Sequence, residues 1–214
     1  MECVKQKGWR EMADKLGEVL DPSMITITGE RVVLGPLHRG MIPAIARWLG
    51  DFRVQRTFGG VPRAVTIDQA TAIYERWVTS QDNYWFAVYE RESGRLIGHT
   101  DLFEVDQRAR TCTFGLLIGE ETARGRGYGS EVARLMLDYA FTALGLHSVM
   151  LMVDSYNLAG QAAYRKAGFV EFGRRRQASL LNGQLLDLVY MDCLASEFVS
   201  TNLAPIFAPD QPRG

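Results

Sequence analysis

Apolar side chains recur along this chain at two spacings, and the points where one gives way to the other outline its elements. Trp9, Met12, Ala13, Leu16 and Leu20 share one face of a helix, and Asp21-Pro22 ends that pattern. The spacing predicts an amphipathic helix over 8–20, appended within an N-terminal stretch 1–23, with the main domain starting at Met24. Ile25, Ile27 and the run Val32-Val33-Leu34 read as short strands around a Thr28-Gly29-Glu30 turn. Ile42, Ile45, Ala46 and Leu49 predict a helix over 39–50, and Arg53 to Ala64, with Gly59-Gly60 and Pro62, reads as a loop. Thr66 and Gln69 have capping-box spacing, and Ile73, Tyr74, Trp77 and Val78 give the following helix its apolar face.

From Tyr84 the period drops to two. Tyr84–Tyr89, Arg95–Phe103 and Thr111–Ile118 predict an antiparallel meander, with Glu92-Ser93-Gly94 as its first turn. Helical spacing returns at Val132, Leu135, Met136 and Tyr139 and stops at Gly145. Val149, Leu151 and Val153 alternate as a strand, Ala162–Ala167 is a short helix ended by Gly168, and Val170–Arg176 and Leu185–Leu194 close the fold as a strand pair. The order predicts an α+β domain over 24–198, built on one mixed, mostly antiparallel sheet with helices on both faces. Pro205, Pro209 and Pro212 mark 199–214 as a loose tail.

Composition narrows the function classes. The chain has 214 residues and a formal net charge of −1, so a dedicated nucleic-acid binder, with its basic stripe, is not expected. Charged residues are scattered through 1–20 without an apolar run, so neither a signal peptide nor a membrane anchor is expected, and the chain reads as cytoplasmic. Cys3, Cys112 and Cys193 are too far apart for zinc-ligand spacing, and no metal is expected. A monomer or a homodimer fits this composition.

Glycine placement is more informative than its total. The hexad Arg124-Gly125-Arg126-Gly127-Tyr128-Gly129 joins the strand ending at Ile118 to the next helix. Glycines there permit a tight turn, and a helix start offers orphan N–H donors and partial positive charge, the elements of a phosphate site. Ser130 stands where a dinucleotide-binding fingerprint needs its third glycine, and no Gly-Lys-Ser/Thr follows for a nucleotide-triphosphate loop. On spacing alone, a ligand-free glycine turn remains an equal reading.

A second motif accompanies the first. Arg124, Gly127 and Gly129 match the pattern Arg/Gln-x-x-Gly-x-Gly/Ala, and Asn157, Tyr164, Lys166, Gly168 and Phe169 match Asn-…-Tyr-x-Lys-x-Gly-Phe. In both motifs the chain resembles the GNAT superfamily of acyl-CoA N-acetyltransferases over residues 24–198. The stretch from Asp138 to Asn157, the segment ITGERVVLGPL, Asp187 and Met191 also resemble the branch that contains the ribosomal-protein alanine N-acetyltransferases.

The resemblance implies that acetyl-CoA lies where strands 111–118 and 148–154 splay apart. Leu116, Leu117 and Ile118 would then meet the pantetheine arm, and Arg124, Gly125, Arg126, Gly127, Tyr128, Gly129 and Ser130 the pyrophosphate. Asn157 and Lys166 would assist in holding the cofactor, although an N-cap and a surface lysine are equally fitting roles for them. The acceptor would be a primary amine, on a small molecule or a peptide N-terminus, that attacks the thioester directly. Tyr164 stands at the family's acid position. Thr113 stands where many relatives carry a glutamate base, which leaves as base a water chain or one of the adjacent-strand carboxylates Asp101 and Glu104, themselves also readable as solvated strand-end acids, and no strong base is needed if the amine arrives neutral. Gly160 stands where relatives often have Ser or Ala, which would loosen the start of that helix. Trp85, Phe103 and the run Arg174-Arg175-Arg176 lie in the segments expected to shape the acceptor end. Thr113 also keeps open an idle acyl-CoA-binding module, and a longer acyl donor such as succinyl-CoA is a further alternative.

Overall fold

A computed structural model of the protein describes residues 21–59 and 62–210. Eight strands form one sheet: β1 (Ile27–Thr28), β2 (Val32–Gly35), β3 (Tyr84–Glu90), β4 (Leu96–Asp106), β5 (Thr111–Ile118), β6 (Ser148–Asp154), β7 (Val170–Leu181) and β8 (Gln184–Leu194). Their order across the sheet is β1-β2-β3-β4-β5-β6-β8-β7. Every neighbouring pair is antiparallel except β5 and β6, which run parallel because the helix between them carries the chain back across the sheet.

Alternation along the strands divides the core. Leu34, Phe86, Val88 and Ile97 face α4 (Tyr128–Asp138) and α5 (Leu158–Ala167), where Val132, Leu135 and Met136 complete the cluster. Val33, Ala87, Tyr89, Leu96 and Leu117 face α1 (Ile42–Gly50) and α3 (Ile67–Thr79), against Ile45, Trp48, Tyr74 and Trp77. The α3 start is a full capping box: Thr66 Oγ1 accepts from the Gln69 amide, and the Gln69 side chain accepts from the Thr66 amide. The meander and the helix after the glycine hexad stand where the spacing predicts them.

Several elements differ from the sequence reading, each for a local reason. The predicted loop from Arg53 begins inside a short helix, α2 (Phe52–Gln55), because Asp51 caps it at the Arg53 amide and Gln55 turns inward to donate to the Leu49 carbonyl at 2.6 Å. Helix α5 starts at Leu158 rather than Ala162, because Asn157 caps it through the Gly160 amide at 2.9 Å. Strand β7 runs past Arg176 to Leu181, across a register shift at which Gln177 adopts φ 52°. Helix α4 ends in a π turn over Tyr139–Ala143.

The segment predicted as a loose tail from 199 is tied down over its first residues. Asp138, buried at the end of α4, accepts from the Ser200 hydroxyl and from the Thr201, Asn202 and Leu203 amides, and α6 (Ala204–Phe207) follows. The predicted helix over 8–20 lies outside the described residues.

Candidate active site

Strands β5 and β6 pair only at Thr111–Ser148, Cys112–Val149 and Thr113–Met150, and beyond that they separate. β5 stays paired to β4 as far as Ile118, and β6 to β8 as far as Asp154, so the gap has a strand edge on each side. The Gly119 amide donates to the Ile97 carbonyl, and the Gly115 carbonyl accepts from the Thr100 hydroxyl, so both face β4. Strand alternation then turns the backbone groups of Leu116 and Ile118 into the gap and those of Leu117 toward β4. Of the three residues expected at the pantetheine arm, Leu117 thus has its amide turned away, and its side chain packs in the α1–α3 core.

The glycine hexad sits at the mouth of this gap. Gly127 is the N-cap of α4 and adopts φ 80°, a conformation that favours glycine. The N–H groups of Gly125, Arg126, Gly127, Tyr128, Gly129 and Ser130 have no acceptor among the described residues. Successive free amides at a helix start form a cradle for a pyrophosphate. The side chains around them are engaged differently from the sequence expectation. Arg124 donates to the Ile118 and Gly119 carbonyls, and Arg126 pairs with Glu90 at 2.9 Å, which also accepts from the Tyr128 hydroxyl at 2.6 Å. These three shape the loop rather than project into it. Lys166 lines a separate cleft with Ser130 and Arg134.

Below the cradle the gap widens into a cavity of about 580 Å³. Asp101 and Tyr164 both line it, together with Trp85, Phe103, Thr113, Gly115 and Asn157. Asp101 is 6 % exposed and lies directly over Gly115, where a Cβ would come within 2.3 Å of its Oδ1. No side-chain partner meets the Asp101 carboxyl among the described residues, and burial pushes its pKa up to about 7. It is therefore poised to exchange a proton near neutrality. Tyr164 packs edge-on against Phe114 and Phe169, and burial pushes its phenol up to about 12, so it stays protonated as a donor.

Glu104 takes a different position. It occupies a bulge in β4 at φ 52°, is exposed, and accepts from the Thr113 hydroxyl at 3.0 Å. Thr113 on β5, where the resemblance implies a carboxylate, is thus bonded to an acid from β4. Gly160 follows from close approach: a Cβ there would meet the Asn157 Nδ2 at 2.7 Å, so the glycine lets the cap fold over the helix start. Cys112 and Cys193 are buried and their thiols pushed up to about 12 and about 11, which removes them as nucleophiles. Arg174 of the basic run is paired with Glu171 at 2.6 Å.

Two groups beside the cavity carry no sequence motif. Tyr156 places its hydroxyl 2.9 Å from Asp154 Oδ2 and within hydrogen-bonding reach of the Arg56 carbonyl, and so joins the two walls. His99, 1 % exposed, packs among Trp77, Trp85 and Phe58, with neither ring nitrogen partnered among the described residues. Burial pushes its pKa down to about 3, so the ring is neutral. No spacing could reveal either, because each depends on segments far apart in sequence.

With this geometry in view, comparison with known proteins is decisive. The family model of the acetyltransferase (GNAT) domain matches residues 31–170. The chain belongs to the GNAT acetyltransferase family. Its sheet, parted between β5 and β6, matches the spermidine N-acetyltransferase of Vibrio cholerae solved in complex with CoA and spermine, with a TM-score of 0.72 and 25 % identity, covering 79 % of this chain and 98 % of that one. Among curated relatives, the spermidine N(1)-acetyltransferase of Escherichia coli K12 is 27 % identical over 174 residues, 81 % of this chain and 91 % of its own. An alpha/beta-tubulin N-acetyltransferase 9 of Drosophila melanogaster is 26 % identical over 161 residues, 69 % of this chain and 80 % of its own. As a GNAT member the chain is an N-acetyltransferase with acetyl-CoA as acyl donor, and the parted strands and free amides fit that donor. No helix among the described residues is long and apolar enough to cross a membrane.

Proposed function

We propose that this GNAT acetyltransferase moves an acetyl group from acetyl-CoA to a primary amine, on a small molecule or a peptide N-terminus, by direct attack within the 580 Å³ cavity. The observation that carries this reading is the Asp101 carboxyl, buried and unpartnered at the narrow end of the gap, with a pKa raised to about 7. An amine reaches an active site mostly as an ammonium ion, and it must lose a proton before its lone pair can attack. Asp101 is suited to accept that proton through its free Oδ atoms. Acetyl-CoA, when bound, supplies an acyl carbon activated as a thioester. The amides of Leu116 and Ile118 would hold the donor's arm, and those from Gly125 to Ser130 its pyrophosphate. Tyr164, kept protonated by burial, lines the same cavity and would donate its hydroxyl proton to the departing thiolate.

Trp85, Phe103 and Phe58 beside Asp101 favour a cationic, partly apolar acceptor, because aromatic faces and a carboxylate both attract an ammonium group. The polyamine named for the Vibrio cholerae relative has that chemistry. The test is thiol release from acetyl-CoA with a panel of polyamines, aminoglycosides and short peptides, run beside succinyl-CoA. Turnover with acetyl-CoA and a cationic small amine supports the reading. Faster turnover with succinyl-CoA would replace the donor, selective turnover of peptides would move the acceptor, and CoA binding without any turnover would make the chain an idle module.

A further inference from the structure

We infer that Arg31, the residue before β2, is a positioning residue for donor binding: its guanidinium fixes the peptide planes of the glycine loop so that their N–H groups stay turned to the pyrophosphate. This rests on the reading that the loop binds the donor's pyrophosphate. Arg31 Nη1 donates to the Arg126 carbonyl at 2.9 Å and Nη2 to the Gly127 carbonyl at 3.4 Å. In a trans peptide the C=O and the next N–H point in opposite directions. Holding the Arg126 and Gly127 carbonyls toward Arg31 therefore turns the Gly127 and Tyr128 amides to the opposite side. The approach is close: a Cβ on Gly127 would stand 3.0 Å from Arg31 Nη1.

The same guanidinium also manages charge. Glu131 lies in the first turn of α4, where its carboxylate would repel an incoming phosphate. Arg31 Nε meets Glu131 Oε2 at 3.0 Å, and Glu131 Oε1 accepts from the Arg31 and Val32 amides at 2.8 and 3.3 Å. Glu131 is thereby held away toward β2 and balanced. Glu90, the β3 partner of Val32, anchors the same loop through Arg126 and Tyr128. Arg31 keeps 48 % of its side chain exposed, so its ion pair contributes little to folding, and its loss is expected to show in ligand affinity rather than in stability.

The experiment compares CoA with pantetheine, which lacks the pyrophosphate and nucleotide, by calorimetric titration of the wild type, Arg31→Ala and Arg31→Lys. The wild type is expected to prefer CoA. In Arg31→Ala that preference is expected to shrink about ten- to a hundredfold, with pantetheine affinity and the ligand-free melting temperature unchanged. Arg31→Lys is expected to recover part of the preference, since an ammonium reaches one carbonyl but cannot span two and Glu131. An unchanged CoA preference in Arg31→Ala, or an equal loss for both ligands with a lowered melting temperature, overturns the inference. A wild type with no preference for CoA overturns instead the reading of the loop as a pyrophosphate site.

Discussion

Replacing Asp101 by asparagine keeps the side chain's shape over Gly115 and removes its charge. In the folded protein this carboxyl titrates at about 7 instead of the usual 3.8. A tenfold change in proton affinity corresponds to about 1.4 kcal/mol, so keeping Asp101 ionised in the fold costs on the order of 4 kcal/mol. The sign follows from proton linkage. Between the two values the folded protein binds a proton that the unfolded chain does not, so stability falls as pH rises through that window and is flat above it. Asp101→Asn has no such slope. Against it, the amide brings its own unpartnered N–H groups into the cavity, at about 1–3 kcal/mol. The variant is therefore expected to gain stability relative to the wild type as pH rises from 4 to 8, at roughly 2–4 °C of melting temperature per kcal/mol. Thermal unfolding of both proteins across that range is the assay. On the same variant, thiol release is expected to fall about 10²–10⁴-fold, and the rise in rate through neutrality is expected to vanish. Parallel melting curves at every pH would refute the raised pKa. A wild-type rate profile in the variant would refute the role of Asp101 as base.

Three further outcomes follow from the geometry. Tyr164→Phe is expected to lower kcat about 10²-fold while leaving the CoA Kd within about twofold; a large loss of CoA affinity would make the ring structural. Gly127→Val places a β-branched residue at φ 80° against the Arg31 guanidinium, and calorimetry is expected to show CoA affinity falling at least tenfold; unchanged binding would put the phosphate elsewhere. Asp138→Ala leaves the amides of residues 201–203 without their acceptor, and chemical denaturation is expected to show a loss of about 2–4 kcal/mol, with faster proteolysis near residue 200. Burial disfavours the Asp138 charge, but the Ser200 hydroxyl, the Asn202 amide, the Thr142 hydroxyl and the Leu203 amide together outweigh it and lower its pKa, so this stabilisation is present above the ordinary carboxylate range and fades as pH falls through the lowered value.

Much of this architecture is legible in the sequence, because local patterns produce it. The capping box at Thr66, the change of period after Ile118 and the stops at Gly145 and Gly168 are all short-range signals. Asp101 and Tyr164 are both reachable, the tyrosine through its motif and the aspartate by asking what could replace a missing glutamate. What stays hidden is long-range. Arg31 meets the glycine loop across 95 residues, and Tyr156 meets Arg56 across 100. Neither pairing has a periodicity. Arg124 and Arg126 invite a phosphate role by charge, and only the nearby carbonyls and Glu90 show that both are already occupied. The end of the fold misleads for a similar reason, since proline-rich composition says nothing of a buried carboxylate waiting elsewhere.

That carboxylate bears on how the molecule is made. Asp138 is synthesised long before residues 200–203, yet it can be buried at low cost only once their amides arrive. A nascent chain that has already paired β6 with β8 offers this carboxylate only the Thr142 hydroxyl, at 2.8 Å. Completion of the Asp138 site thus falls to a stretch outside the sheet altogether, and any chain cut between β8 and Leu203 is expected to emerge loosened at the far end of α4.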